Sequence, residues 1–269
     1  MVPAMIVALL KSALTYEDGL RSLRYIWTAG SPLRHSTQTK FQGLLSSEAK
    51  IAQVWGMTET GWVSALFWPE GDDTGSVGRP LSNISIKVVD NDGLTIHEDE
   101  KEGDMYVKSP SMMLGYLDNP EATASMIQAS GWLKTGDIGY CREGKSYIVG
   151  RKKELIKVRG WQVAPAEVEA VLLTHPNVLG AAVVGVPDAN QTGELARAYI
   201  VRRLTEGWAE PEESDLAKEL KDFVAQKLAR YKHLDGGVIF VDQIPRNAMG
   251  KTVKGKLMAL HSNRCPPPA

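Results

Sequence analysis

Apolar residues in the first part of the chain fall into short blocks separated by glycine turns and more polar stretches. Residues 1–14 and 16–23 read as helices, and LRYIWTAG (23–30) as a strand closing on a glycine turn. Residues 33–46 read as a further helix, and AKIAQVWG (49–56) as a second strand ending in glycine. Helix and strand alternating in this order predict a parallel α/β layer. In such layers ligands gather at the carboxyl ends of the strands, so the TAGSP and WGMTETG turns are the first places to look for chemistry.

Beyond Gly75 the apolar positions alternate singly, in ISIKVVD (84–90) and GDMYVKSP (103–110). NDG (91–93) and REG (142–144) read as hairpin turns, so this region is expected to be an antiparallel small barrel or sheet. After GRKKEL (150–155) the texture becomes compact α+β. APAEVEAVLLTH begins a helix with Pro165 in its first turn and Glu167 and Glu169 close behind, which suits a helix amino terminus. LGAAVVGVP, ARAYIVRR and GVIFVDQIP read as strands, and a last helix runs from about Thr252 to His261. Residues 214–231 place Leu216, Leu220, Phe223, Val224, Leu228 and Tyr231 on one helical stripe. The fold expected is therefore α/β: part of a large domain over 1–152, then a compact α+β domain over 153–269, divided between Lys152 and Lys153.

With 31 basic and 32 acidic residues, the charge balance calls for neither nucleic acid nor an anionic membrane as partner. Two cysteines, Cys141 and Cys265, make no disulfide framework, which suits a reducing compartment. The apolar opening MVPAMIVALL lacks a basic leader and a small-residue cleavage site and is too short for a membrane span. The end, NRCPPPA, carries no SKL-type address, so a cytoplasmic location is expected. His35, His97, His175, His233 and His261 show no metal-ligand spacing, and there is no GxSxG elbow.

Five segments remain, in this order: TAGSPL (28–33), QVWGMTETG (53–61), GWLKTGDIGY (131–140), GRKKELIKVRGWQVAPAEVE (150–169) and IPRNAMGKTVKGKL (244–257). Together they resemble the adenylate-forming enzymes, which include acyl- and aryl-CoA ligases, luciferases and peptide-synthetase adenylation domains. The 4-coumarate–CoA ligase type is the most similar, and the resemblance runs from residue 1 to about 260. It implies adenylation of a carboxylic acid by ATP with Mg²⁺, followed by thioester formation with CoA.

The residue types suit that chemistry. Trp55 has a flat face for adenine, the Thr58 hydroxyl can donate to an α-phosphate oxygen, and Glu59 can hold Mg²⁺, which takes only one or two protein carboxylates. The alternative for this stretch is an exposed turn with an ordinary helix cap. Asp137 can accept two hydrogen bonds side by side from a ribose diol, the role the resemblance implies; otherwise it is a turn residue. Gly30, Gly56 and Met57 are implied to line the nucleotide, with Arg151, Lys157 and Gln162. Lys153 matches the hinge of the family, and Arg159, Gly160 and Trp161 match the stretch beside the pantetheine of CoA. A solvated basic hairpin is the alternative there. Lys251 matches the catalytic lysine, a cation for the charge that builds up during adenylation. MGKT also resembles the end of a phosphate-binding Walker loop, but Pro245 stands where that loop requires glycine. Otherwise Lys251 is a plain helix-start lysine.

Trp62, Phe67 and Trp68 border the acyl pocket or belong to the core. Asp104 stands where many relatives have glutamate. Full-length relatives carry, before the TAGSPL-like segment, a Ser/Thr/Gly-rich loop that cradles the triphosphate. The resemblance therefore implies the carboxyl-terminal half of a ligase, with an amino-terminal half as the partner it lacks. Two other readings stand beside it: a domain that loads a carrier protein, and a silent fragment that serves as a binding module.

Overall fold

The computed structural model describes residues 1–11, 19–33, 35–188, 193–203, 212–247 and 252–262. The chain falls into two units, Met1–Lys152 and Lys153–Ala269.

In the first unit, α1 (Pro3–Lys11), β1 (Tyr25–Thr28), α2 (His35–Gln42) and β2 (Lys50–Gln53) make the α/β layer, with β1 and β2 parallel. Ile26 and Thr28 point inward from β1, as a period of two requires, and Ile6, Leu33, Phe41 and Ile51 close over Ile26. Two expectations need correction. Of the helix expected over 16–23, residues 16–18 lie outside the described residues, and 19–22 form turns in which Leu23 N donates to Leu20 O. Gly19 is a poor helix former, which accounts for the break. The strand expected over 49–56 is two strands. Val54 N donates to Thr28 O at the end of the parallel pair, and Trp55 then enters a different sheet.

That second sheet is β3 (Trp55–Met57), β4 (Gly61–Ala65) and β5 (Arg79–Pro80), all antiparallel. A third sheet holds β6 (Ser85–Val89), β7 (Thr95–Ile96), β8 (Gly103–Lys108), β9 (Leu133–Arg142) and β10 (Lys145–Arg151), in the order β10-β9-β8-β6-β7. A short helix, α3 (Pro120–Met126), lies between β8 and β9 in sequence. Trp55, Val63 and Val77 share one core with Val88, Met105 and Val107. The barrel-like region is thus two open antiparallel sheets over common apolar side chains. Glu143 (φ 52°) and Gly144 (φ 73°) turn β9 into β10, the left-handed pair that matches strand twist in a two-residue hairpin.

The second unit begins with a hairpin of β11 (Ile156–Val158) and β12 (Trp161–Val163), followed by α4 (Pro165–Leu172). Next come β13 (Val178–Pro187), β14 (Glu194–Arg202), α5 (Glu213–Ala225), β15 (Val238–Phe240) and α6 (Lys254–Ser262). β13 and β14 are antiparallel, and β15 adds parallel to β14. Alternation along β13 divides two cores. Ala181 and Val183 face Val168, Leu172, Leu216, Leu220 and Val224 of α4 and α5, whereas Ala182 and Val184 face Leu257 of α6. The helix expected over 214–231 stops at Ala225. Leu228 and Tyr231 still pack on its core, but from a turn and a 3-10 segment that begins after the extended Ala229 (ψ 152°). Among the described residues, no helix is long and apolar enough to cross a membrane.

One buried ion pair braces the first unit. The Asp72 side chain is 2% exposed and accepts from Lys145 Nζ at 2.8 Å, Thr74 N at 2.9 Å and Ser76 N at 3.0 Å. Burial alone would raise its pKa, but hydrogen bonds from Lys145, Ser76 and Thr74 outweigh it and hold the carboxyl below its usual value. A folded-state pKa below the unfolded one gives stability that is present at neutral pH and lost as pH falls through the carboxylate range. Asp72→Asn is therefore expected to cost about 2–4 kcal/mol in urea unfolding at pH 7. The gap to the parent chain should narrow steadily as the pH is lowered below about 4.

Candidate functional site

The parallel pair delivers two segments to one end. β1 leaves through Gly30 at φ 94°, and β2 leaves through Val54 into the β3–β4 hairpin. Met57 pairs with Gly61 across a three-residue tip of Thr58, Glu59 and Thr60, and Gly61 takes φ 70°, the left-handed residue such tips need. Gly56 has no room for a side chain, since a Cβ would lie 2.5 Å from the Gly61 carbonyl oxygen. The tip exposes Thr58, half-exposes Met57 and Glu59, and buries Thr60.

A loop from a distant part of the same unit holds this tip. Ser111 Oγ donates to Thr60 O at 2.8 Å, and Met113 N donates to Glu59 O at 2.8 Å. Tyr116 donates its hydroxyl to Glu59 Oε1 at 2.7 Å, and that hydrogen bond pushes the Tyr116 pKa up. Sequence reasoning passed over Tyr116. Its only signal was an aromatic hydroxyl after Gly115, 57 positions from Glu59, and nothing in the sequence links the two.

Behind the tip, Trp55 is 6% exposed and packs in the shared core, so it presents no open face for stacking. Its indole Nε1 instead donates to Asp137 Oδ2 at 2.8 Å, across 82 positions of sequence. Asp137 itself is 3% exposed; Arg151 Nε stands 3.1 Å from its Oδ1, and Thr135 Oγ1 accepts from its backbone N–H. The β9–β10 register sets Arg151 directly opposite Asp137, and Gly136 (φ 72°) supplies the bend before it. Trp55, Asp137 and Arg151 thus form one group beside the strand that carries Thr58 and Glu59. Asp104 pairs with Lys152 at 2.6 Å.

Trp62, Phe67 and Trp68 are about half exposed, and they form an edge-to-face cluster with Tyr25 and Trp27. Trp62 sits opposite Gly56 in the hairpin ladder. Among the described residues, no group of three His, Cys, Asp or Glu side chains could hold a metal ion alone.

The remaining candidates fall in or beside the second unit. Lys153 is exposed in the 3-10 turn Lys152–Glu154. Lys157 lies opposite Gln162 in the β11–β12 hairpin, both exposed, and Arg159 (φ 47°) and Gly160 (φ 87°) form its two-residue tip. Trp161 is 58% exposed and stacks on Tyr231 at 4.7 Å. Lys251 lies outside the described residues. The chain on either side of it is paired, with Arg246 bridged to Thr252 and Val253 N donating to Pro245 O at 2.9 Å.

Comparison with known proteins gives a consistent picture. The family model described as AMP-binding enzyme matches residues 1–117, and that of the AMP-binding enzyme C-terminal domain matches 167–251. The phenylacetyl-CoA ligase epaB of Aspergillus niger is 45% identical over 94% of this chain and 46% of its own length. The acyl-CoA ligase clz12 of Cochliobolus lunatus is 36% identical over 95% of this chain and 72% of its own length. Among solved structures, the ATP-bound RpMatB-BxBclM chimera B1 superposes with a TM-score of 0.83 at 34% identity, covering 97% of this chain and 50% of the chimera. The chain spans about half the length of most of the curated relatives it matches.

Trp55→Phe keeps a ring in the core and removes the indole donor to Asp137. It is expected to cost about 1–3 kcal/mol, the price of leaving a buried carboxylate one partner short. Chemical denaturation measures this directly, and an unchanged midpoint would remove Trp55 from the anchoring of Asp137.

Proposed function

This chain belongs to the AMP-binding enzyme family, the adenylate-forming enzymes, and on that basis we propose that it carries the carboxyl-terminal half of an ATP-dependent acid–CoA ligase. The observation that carries the reading is the meeting of the Thr58 and Glu59 tip with Asp137 through Trp55, whose strand leads straight into the tip.

The reaction has two steps. A carboxylate oxygen of the acid attacks the α-phosphorus of ATP, the bond to the bridging oxygen breaks, and pyrophosphate leaves acyl-AMP behind. The CoA thiol then gives up its proton to solvent, its sulfur bonds to the acyl carbon, and AMP departs with the electron pair of the broken C–O bond. Thr58, exposed at the tip, donates to an α-phosphate oxygen. Asp137 receives the ribose hydroxyls once the Arg151 side chain, 43% exposed, turns from Oδ1 toward ribose or phosphate. Gly30, Gly56 and Met57 line the nucleotide with backbone, and Lys157 and Gln162 take the nucleotide-contact roles that the family resemblance implies. The Lys251 ammonium offsets the charge that develops on carboxylate and phosphate. Lys153 is the pivot between the two steps, and residues 159–161 flank the pantetheine of CoA.

The residues fit Mg²⁺ delivered with ATP. A metal carried by phosphates needs one or two protein carboxylates, and Glu59 offers one at an accessible tip. When bound there it neutralises phosphate charge. For the acid we assign an aromatic carboxylate, supported by the half-exposed Trp62, Phe67 and Trp68 cluster and by similarity to a phenylacetyl-CoA ligase.

The test grafts this sequence in place of the matching region of a related ligase and follows acid-dependent ATP–pyrophosphate exchange over a panel of acids. Aryl acids should exchange fastest, and no exchange with any acid would sink the reading. Lys251→Ala should reduce exchange by about 10²-fold or more while conversion of supplied acyl-AMP to thioester falls far less. Equal loss in both steps would remove its special role. Asp137→Ala should weaken ATP binding by about tenfold, and an unchanged affinity would count against ribose recognition. Thioester formation with free CoA separates a CoA ligase from a carrier-loading domain.

A further inference from the structure

We propose that Tyr116 is a positioning residue for Glu59, setting which carboxylate oxygen is turned toward a bound cation. The inference rests on the reading of Glu59 as the carboxylate that holds Mg²⁺.

A glutamate on a three-residue hairpin tip has freely turning side-chain torsions, and a cation site needs one orientation. Tyr116 supplies it by donating to Oε1 at 2.7 Å. Among the described residues, no other hydrogen bond or ion pair reaches the Glu59 carboxylate. Among the described residues Oε2 accepts no hydrogen bond, and Glu59 is only partly buried. The tyrosine can serve as a fixed donor because its own backbone is held. Tyr116 N donates to Thr123 Oγ1 at 2.9 Å, and a Cβ on Gly115 would lie 2.9 Å from that same hydroxyl. Thr123 belongs to α3, whose first turn is capped by Asn119 Oδ1, which accepts from Ala122 N at 3.0 Å.

Exposure in the same segment sharpens the point. Leu114 and Leu117, on either side of Tyr116, are 102% and 90% exposed, and Met112 and Met113 are only partly buried, so no fully buried apolar side chain anchors this stretch. Its polar contacts to the tip hold it: Ser111 on Thr60 O, Met113 N on Glu59 O, and Tyr116 on the carboxylate. The first two fix the backbone of the tip, and the third acts on the one side chain with metal chemistry.

The experiment compares Tyr116→Phe with the parent 269-residue chain by hydrogen exchange and by ATP binding at graded Mg²⁺. Amides of residues 58–61 should exchange several-fold faster in the variant, while those of the β9–β10 hairpin stay unchanged. The Mg²⁺ concentration needed for half-maximal ATP binding should rise about fivefold, with Mg²⁺-free affinity unaltered. Glu59→Gln, which keeps an acceptor for Tyr116, should retain slow exchange but lose the Mg²⁺ dependence. Unchanged exchange at the tip overturns the proposal, as does an equal loss of ATP affinity with and without Mg²⁺. A parent chain whose ATP binding ignores Mg²⁺ counts against Glu59 as metal ligand instead, and the exchange rates then judge the Tyr116 contact by themselves.

Discussion

A carboxylate shut away from water must find donors inside the protein, and Asp137 finds them in Trp55 and Arg151. The rest of the first unit is arranged around this requirement. Trp55 can reach Asp137 only if β3 lies against the five-stranded sheet, and Arg151 can do so only in the observed β9–β10 register. A slip of one residue in that register would turn Arg151 to the opposite face. The tip of Thr58 and Glu59 therefore inherits its position from a polar contact buried beneath it, while the apolar core supplies the bulk of the cohesion.

The sequence made much of this visible, for identifiable reasons. Alternating apolar positions found β6 and β8, apolar runs between turn residues found β1, β13 and β14, and Pro165 with its early glutamates found α4; β13 reads as a run because it is buried on both faces. Glycine marked the turns, and the basic stretch around Arg159 and Gly160 folds as a hairpin, the form that its alternative reading named. Boundaries fared less well. The stretch from Ala49 to Gly56 does not say that the chain changes sheets at Val54, since residues 51–55 are buried on both sides of the change. Leu228 and Tyr231 continued the helical stripe of α5 because they pack on the same core, although α5 ends before them.

The candidate site divides along the same line. Thr58, Glu59 and Asp137 stood out as candidates because their residue types match a chemistry and their motifs have an order. The Tyr116 contact was not, since a pairing between distant segments leaves no local pattern. Trp55 was legible as a position but misread as a surface: an indole offers both a face and an N–H, and only the fold decides which is used. In the second unit, Lys157, Gln162 and the 159–160 tip share one short hairpin, so a local ladder alone brings those candidates together.

The two-sided sheet of the second unit has a further consequence. α4 and α5 share one core with β13 and β14, and among the described residues α6 meets the other face through Leu257 against Ala182, Val184 and Tyr199. Each strand residue therefore answers to a single helical neighbour: extra bulk at Ala182 would crowd Leu257 and leave Val168 and Leu220 untouched, whereas extra bulk at Ala181 would do the reverse.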